Sequence, residues 1–316
     1  MNDTSSSLPD PLPLLEDGSL VLSAAPETEA VVRAWLPRLA ASAPADPARA
    51  RIRVEAGAPP AGRDDAPPAM ELYGVRGWGP VEGRVVLAGR HGRIGARIDL
   101  EARAATVVVK PEGEPPGQRD VFAAFTIAAA LLLTRLRRAL VHAAAVVEPG
   151  GGAWLLPGSS YSGKSTTCIT LIRGGWNYLT DDHVVLGTGP GDELRAQGWA
   201  RNFHLDTGYA QGASHGARAR VEADAFGPGR WQSSAPLAGL LFPRVQPELP
   251  TALLPLHPAA ALSLLLRQSP FVVNDPAAAP PVLALLQRAA ALPAYELRLG
   301  SDSYCNEKQL QSVLRP

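Results

Sequence analysis

The spacing of apolar and polar residues divides the chain into two parts with different patterns. In the first part, alternating segments at residues 97–100 and 106–109 predict antiparallel strands. An amphipathic pattern predicts a helix over residues 27–39. Residues 43–69 are dominated by Ala, Pro, Gly and Arg without periodicity, which predicts a long loop outside the core. The first part is therefore expected to be a small β-rich module.

The second part begins with a long apolar segment and continues as a mixture of strands and helices. Residues 121–133 carry no charge and predict a buried helix. Residues 141–148 and 153–157 are both apolar and are separated by a short Pro-Gly-rich turn, so they should pair as a hairpin. Residues 164–173 predict a short helix that ends at a glycine pair, and residues 176–180 predict the next strand.

These elements form a βαβ unit, in which consecutive strands are usually parallel neighbours. Pro157 and Thr180, at the ends of the two strands, should then lie side by side at one edge of the sheet. Further along, the pattern predicts four more elements: a strand at 237–242, helices at 258–267 and 281–291, and a strand at 295–299. The predicted fold class is α/β, or α+β overall, with a β-rich module over residues 1–115 and a second domain over residues 116–316.

Composition and charge exclude several classes of protein. The chain of 316 residues has 30 basic and 30 acidic side chains, so no overall field attracts it to a polyanion, and we expect no nucleic-acid partner. Cys168 and Cys305 are the only cysteines, which predicts neither a disulfide framework nor a zinc site.

The sequence also argues against export and membrane insertion. Residues 1–16 are polar and acidic and lack the pattern of a secretory signal. The apolar segment 121–133 is shorter than the roughly 20 residues that a membrane-spanning helix needs. The arginines that follow it, Arg135, Arg137 and Arg138, complement the helix dipole more simply than they indicate a membrane surface. We therefore expect a cytoplasmic protein without a membrane partner.

A glycine loop between the hairpin and the short helix carries the clearest chemical signal. Its residues match the pattern G-x-x-x-x-G-K-[ST]: Gly158, Ser159, Ser160, Tyr161, Ser162, Gly163, Lys164 and Ser165. In this pattern backbone N–H groups hold phosphates, the lysine reaches the terminal phosphates and the hydroxyl binds magnesium. Thr166 continues the loop into the helix whose N-terminus faces the anion. The chain has only two other lysines, Lys110 and Lys308, which makes a chance match less credible. We expect ATP and Mg²⁺ as ligands.

Two aspartates follow the next strand. Asp181 and Asp182 should lie at the edge where the loop holds phosphate, so that one can bind Mg²⁺ and the other is free to act as a base. Adjacent side chains on an extended strand point in opposite directions, so both can serve only if the chain turns sharply at Thr180. His142 opens the hairpin, and its residue type and position alone favour a core histidine.

Together, the histidine, hairpin, glycine loop, short helix and aspartate pair resemble the HPr serine kinase/phosphorylase family. They are most similar to the looser group of HPr-kinase-like proteins found near peptide-modification gene clusters. The resemblance covers residues 140–186 well, continues faintly to about residue 299 and does not include the N-terminal module. It implies a PEP-carboxykinase-like catalytic core and ATP-dependent transfer of phosphate to a serine hydroxyl of a peptide or small protein.

The resemblance also implies roles for individual residues. Lys164 would hold the β- and γ-phosphates, and Ser165 would bind Mg²⁺. One aspartate would be a second metal ligand and the other the base, and we assign Asp181 to the metal and Asp182 to the base. His142 would help to position the phosphoryl group or the aspartates.

The chain departs from the family at two places. The family has glycine at the position of Tyr161, so this loop must accommodate a side chain that could reach over the nucleotide or restrict the acceptor groove. The Glu-Ile-Arg-Gly-like signature of the family is missing, which removes the basis for predicting the reverse reaction. Its arginine has four candidate replacements: Arg201, Arg218, Arg220 and Arg244.

The sequence therefore predicts an ATP- and Mg²⁺-dependent kinase that acts on a hydroxyl. A small-molecule acceptor is the alternative within the enzyme class. A non-catalytic nucleotide-binding sensor or scaffold would need no base at Asp182, and an NTPase coupled to motion would need a residue to activate water that the sequence does not indicate. The oligomeric state is not predicted.

Overall fold

The computed structural model describes residues 12–36, 49–63, 65–110, 118–199, 203–206, 218–303 and 306–314. Within these ranges the fold is a mixed α/β arrangement with two large mixed sheets and six α-helices. The chain forms two compact units. The first comprises Met1–Leu136 and Val273–Ala278, and the second comprises Arg137–Val272 and Ala279–Pro316.

The first unit is built on one eight-stranded sheet. Its elements in chain order are β1 (Leu12–Pro13), β2 (Leu20–Ala24), α1 (Pro26–Trp35), β3 (Ala50–Ala56), β4 (Met70–Leu72), β5 (Val75–Val81), β6 (Arg84–Gly89), β7 (Ile94–Asp99), β8 (Ala104–Val109) and α2 (Gln118–Arg135). Across the sheet the order is β1-β2-β3-β8-β7-β6-β5-β4. The predicted antiparallel strands correspond to β7 and β8. The predicted first helix corresponds to α1, and its last predicted residues, 37–39, lie outside the described residues.

Helix α2 is the main helix of the first unit. Every residue from Phe122 to Thr134 is buried, which confirms the predicted buried helix and suits its uniformly apolar sequence. The helix packs against β3, β6, β7 and β8, so it belongs to the first unit. The chain accordingly divides after Leu136, whereas the sequence analysis placed the boundary after residue 115. None of the helices in the described ranges is long and apolar enough to cross a bilayer.

The prediction that residues 43–69 form a loop outside the core is wrong for part of that range. Strand β3 lies between β2 and β8, in parallel with both. Ile52 and Val54 are buried, and the arginines that alternate with them are exposed. This alternation has the two-residue period of a strand, but it is short and is flanked by Ala, Pro and Gly, which hid it in the composition of the longer segment.

The second unit contains the glycine loop. Its elements are β9 (Ala139–Val147), β10 (Ala153–Pro157), α3 (Lys164–Arg173), β11 (Asn177–Thr180), β12 (His183–Thr188), β13 (Leu194–Gly198), β14 (Phe203–Asp206), β15 (Arg218–Val221), β16 (Ser234–Val245), β17 (Ala252–Pro255), α4 (Pro258–Arg267), α5 (Ala279–Ala290), β18 (Ala294–Leu299) and α6 (Glu307–Leu314). The predicted hairpin, the short helix and the four elements further along the chain correspond to β9, β10, α3, β16, α4, α5 and β18.

Strand pairing in the second unit closes a ring. β10 pairs with β9, β9 with β12, β12 with β13, β13 with β16, and β16 with β10. β18 and β17 extend the sheet from β16. β14 and β15 form a separate two-stranded sheet.

The prediction that β10 and β11 are parallel neighbours is wrong, because β9 lies between them. Both edges of β10 are already paired, one with β9 and the other with β16. β11 pairs with the far edge of β9. Pro157 is aligned with Ala143, and Thr180 is aligned with Ala145, so the two strand ends reach the same end of the sheet with one strand between them.

The two faces of β9 belong to two different hydrophobic clusters. Ala145 lies in a cluster that includes residues of α4 and α5, such as Leu286. Ala144 lies in a second cluster that includes residues of α3 and α6, such as Leu171. This alternation is the two-residue period of a strand that is buried on both sides, and it fixes α3 against one face of the sheet.

The position of β3 predicts a stability difference between two neighbouring residues. Ile52 is 1% exposed, so Ile52→Ala should lower the free energy of unfolding by about 2–5 kcal/mol because it leaves a cavity. The control Arg51→Ala alters an exposed side chain and should change it by less than about 0.5 kcal/mol. Urea denaturation followed by circular dichroism measures both values. Equal, small effects would show that residues 50–56 are not part of the core.

Candidate functional site

The glycine loop connects the end of β10 to the start of α3, and two of its glycines are required by the local geometry. Gly163 precedes the helix at a φ of 100°, in the left-handed region. A Cβ atom at Gly158 would lie 2.5 Å from the Ser162 hydroxyl oxygen, so the loop closes tightly on itself. The first turn of α3 therefore presents its backbone N–H groups beside a compact loop, which is the arrangement that favours anions.

Tyr161 lies in the middle of the glycine loop, and its backbone has a φ of 66°. A left-handed conformation costs a residue with a side chain roughly 1–2 kcal/mol, so the loop holds this residue in a strained state. Its side chain is 62% exposed. The loop thus accommodates the side chain by directing it into solvent.

Lys164 is the first residue of α3, and its side chain folds back over the loop. Its Nζ atom donates hydrogen bonds to the carbonyl oxygens of Gly158 at 2.7 Å and Ser159 at 2.8 Å. The lysine is buried, so its charge acts with little screening by water. The loop therefore concentrates positive potential at one point.

Ser165 and Asp181 meet across the loop and the end of β11. The Ser165 hydroxyl donates a hydrogen bond to Oδ2 of the buried Asp181 at 3.0 Å. A hydroxyl and a carboxylate are hard oxygen donors of the kind that Mg²⁺ binds together with phosphates and water. In the described parts of the chain no group of three or more His, Cys, Asp or Glu residues could hold a metal ion. A metal at this pair would therefore take most of its ligands from phosphates and water.

Asp182 lies between two histidines. Its Oδ1 atom is 3.4 Å from Nε2 of His142, and its Oδ2 atom is 3.1 Å from Nδ1 of His183. The two imidazole rings are neighbours, with centroids 5.6 Å apart. The Asp182 side chain is 31% exposed, so it is accessible to solvent.

The aspartate pair occupies a bend between β11 and β12, both of which pair with β9. The pairing of β11 with β9 shifts register between Tyr178 and Thr180, directly before the aspartates. This is a local irregularity and not the sharp turn that was expected at Thr180. Asp181 contacts the helix residue Ser165, whereas Asp182 contacts the histidines. The two carboxylates thus contact different side chains.

Sequence reasoning missed His183. It is aligned with His142 on the neighbouring strand and is buried. Burial, and secondarily the positive charge of Lys164, lower the pKa of His183 from its ordinary value to about 3. The residue is neutral at pH 7, so its contact with Asp182 is not an ion pair. The available signal was a histidine directly after the aspartate pair, in register with the histidine that opens the hairpin.

The structure describes three of the four candidate arginines and one of the two cysteines. Arg244 lies in β16 with an exposed side chain and forms an ion pair with Glu296 at 3.8 Å. Arg218 and Arg220 belong to β15, and Arg201 lies outside the described residues. Cys168 is buried in α3, where burial and then the charge of Asp181 raise the pKa of its thiol. That cysteine is an apolar packing residue, and Cys305 lies outside the described residues.

The buried His183 predicts a specific dependence of stability on pH. Its pKa is about 3 in the folded protein and about 6.5 when unfolded, so its contribution to stability is present above about pH 6.5 and is lost as the pH falls toward 3. Between pH 7 and 5.5 the free energy of unfolding should therefore fall by about 1 kcal/mol more in the unmodified protein than in His183→Asn.

Chemical denaturation in EDTA at several pH values measures this slope. His91→Asn, at a histidine on an exposed turn, is the control and should retain the slope of the unmodified protein. An identical slope in His183→Asn would contradict the burial of a neutral imidazole at this position.

Comparisons with known proteins find similarity among solved structures. No family model matches the chain, and no curated protein matches it. Among solved structures, the chain is similar to the Hpr(Ser) kinase/phosphatase from Coxiella burnetii, with 14% sequence identity and a TM-score of 0.32 over 55% of this chain and 94% of that chain. A similarity of that size does not assign the chain to a family.

Proposed function

We propose that this protein binds ATP and Mg²⁺ at the glycine loop and transfers the γ-phosphate to a hydroxyl group. The observation that carries the proposal is the 3.0 Å contact between Ser165 and Asp181. It joins the hydroxyl at the first turn of a helix, directly after a glycine loop, to a buried carboxylate in the bend that follows β11. That combination of phosphate cradle and metal donors has a direct use in phosphoryl transfer.

The loop residues account for phosphate binding. Backbone N–H groups from Gly163 to Thr166 would donate to phosphate oxygens at the positive end of α3. The ammonium group of Lys164 would exchange its hydrogen bonds with two loop carbonyls for contacts with the terminal phosphates, which bear more negative charge. The loop thus needs little rearrangement to receive the anion.

The donor set at Ser165 and Asp181 fits magnesium. Both side chains provide oxygen atoms. They would hold the ion between the start of α3 and the bend that follows β11. When bound, Mg²⁺ neutralises charge on the phosphates during transfer.

Asp182 is suited to act as the base. Its carboxylate is partly exposed, lies beside the metal-binding aspartate, and contacts two imidazoles that limit its motion. As the acceptor oxygen bonds to the γ-phosphorus and the bond to the β-phosphate oxygen breaks, the hydroxyl proton passes to Asp182 and ADP leaves. Positioning the acceptor in line with the breaking bond is the remaining requirement.

The acceptor we propose is a serine of a peptide or small protein, as the sequence resemblance implies. A hydroxyl of a small molecule is the alternative. Both acceptors require the same proton transfer to Asp182, so the identity of the residues in the site does not depend on the choice between them.

Transfer of labelled γ-phosphate tests the proposal. With Mg²⁺ and serine-containing peptides or proteins encoded beside the gene, Asp182→Asn should lower the transfer rate by about 10²- to 10⁴-fold, because the base is lost, while ATP binding is retained. The control Asp192→Asn removes an exposed aspartate that pairs with Arg288 and should retain the full rate.

Two outcomes would contradict the proposal. An unchanged rate in Asp182→Asn would exclude that residue as the base. Tight ATP binding without transfer to any peptide, protein or small-molecule hydroxyl would instead identify a nucleotide-binding sensor.

A further inference from the structure

Two apolar side chains contact the glycine loop on the side opposite the aspartates. Val245 and Leu299 are the last residues of the parallel strands β16 and β18, and they are aligned with each other in the sheet. A Cβ atom at Gly163 would lie 2.5 Å from Cδ1 of Leu299 and 3.2 Å from Cγ2 of Val245. Both side chains therefore pack directly on the loop glycine that precedes α3. We call this pair the apolar edge.

The apolar edge is open to solvent. Val245 is 40% exposed, and Leu299 is partly exposed. A ligand that covers an exposed aliphatic side chain removes apolar surface from water, and this stabilises the complex. Ligands in α/β proteins commonly bind outside the carboxyl ends of parallel strands, which is the position of both residues.

Hydrogen bonds hold the backbone around the apolar edge. The Thr251 hydroxyl donates to Oδ1 of Asp302 at 2.6 Å and accepts from the N–H of Gly300 at 3.0 Å. Gln246, directly after Val245, donates its N–H to the carbonyl oxygen of Leu299 at 2.9 Å. The ends of β16 and β18 are thus fixed relative to each other, and the surface is formed before a ligand arrives.

The strand order places the apolar edge and the aspartates on opposite sides of the loop. β10, which leads into the loop, has β9 on one edge and β16 on the other. Asp181 and Asp182 follow β11, beyond β9, whereas Val245 ends β16. A triphosphate whose terminal phosphate lies near the aspartates would direct its other end toward β16 and β18.

We propose that the apolar edge binds the nucleobase of the nucleoside triphosphate. This inference rests on the proposed function, since it extends the same phosphate site. A nucleobase has flat, weakly polar faces that can cover the two aliphatic side chains. An acceptor peptide fits this surface less well, because its hydroxyl must reach Asp182 on the other side of the loop.

The test compares two ligands that both contain a chain of three phosphates, of which only one carries a nucleobase. Calorimetry would measure the affinity of magnesium ATP and of magnesium tripolyphosphate, which has no base. Val245→Asn, which introduces no charge, should weaken ATP binding by about tenfold and leave tripolyphosphate binding unchanged. Lys164→Ala should weaken the binding of both ligands, because it acts on the phosphates.

Leu254→Asn is the matched control. Leu254 is 39% exposed in β17 and is aligned with Glu296, three residues before Leu299 along β18. Because Leu254 lies away from the end of β18 that contacts the glycine loop, its substitution should leave the affinities of both ligands unchanged.

Three outcomes would overturn the inference. Val245→Asn could leave ATP affinity unchanged, or it could weaken both ligands equally, which would indicate a disturbed loop. It could also raise the KM for the acceptor while ATP affinity stays constant, which would make the apolar edge an acceptor surface. If the unmodified protein binds neither ligand, the proposed phosphate site, and with it the proposed function, is wrong. If it binds both ligands and Val245→Asn has no effect, only the nucleobase surface is wrong.

Discussion

The pairing of strand β9 with neighbours on both edges is the constraint on which the candidate site depends. One edge holds β10 and therefore the glycine loop, and the other holds β11 and β12 with the aspartate bend between them. Small side chains on β9, including Ala144, allow α3 to pack closely over the strand. Ser165 at the start of α3 consequently reaches Asp181. A change in the register of β9 would separate the loop from its carboxylates.

The site contains buried charged side chains. Proteins tolerate such groups only when they are paired with opposite charges or hydrogen-bonded. Lys164 and Asp181 are both buried, and Ser165, the residue after Lys164, donates a hydrogen bond to Asp181. His183 stays neutral there because burial and the lysine both disfavour its charged form. It therefore adds no further charge to be compensated and keeps Asp182 between two imidazoles. Together with the left-handed Tyr161, these buried charged groups reduce local stability around the loop, as is common at functional sites.

Local patterns in the sequence were sufficient for the elements around the loop. Helix α3 and the β9–β10 hairpin depend on neighbouring residues, such as the glycines that flank the helix and the short turn between the strands, so they could be predicted. The insertion of β9 between β10 and β11 depends on long-range pairing, which has no local signature. The same reason explains β3, whose alternation is short, and His183, whose role follows from its alignment with His142. The local elements on either side of the loop were predictable, whereas the strand order around it was not.

The most direct test of the account is the dependence of ATP affinity on Mg²⁺ in a double-mutant cycle of Ser165→Ala and Asp181→Asn. We expect Mg²⁺ to strengthen ATP binding in the unmodified protein and each substitution to remove most of this gain. The double substitution should add little to either single one, because the two side chains serve one metal ion. Unchanged Mg²⁺ dependence in Asp181→Asn, or fully additive effects, would contradict a shared metal site at this pair.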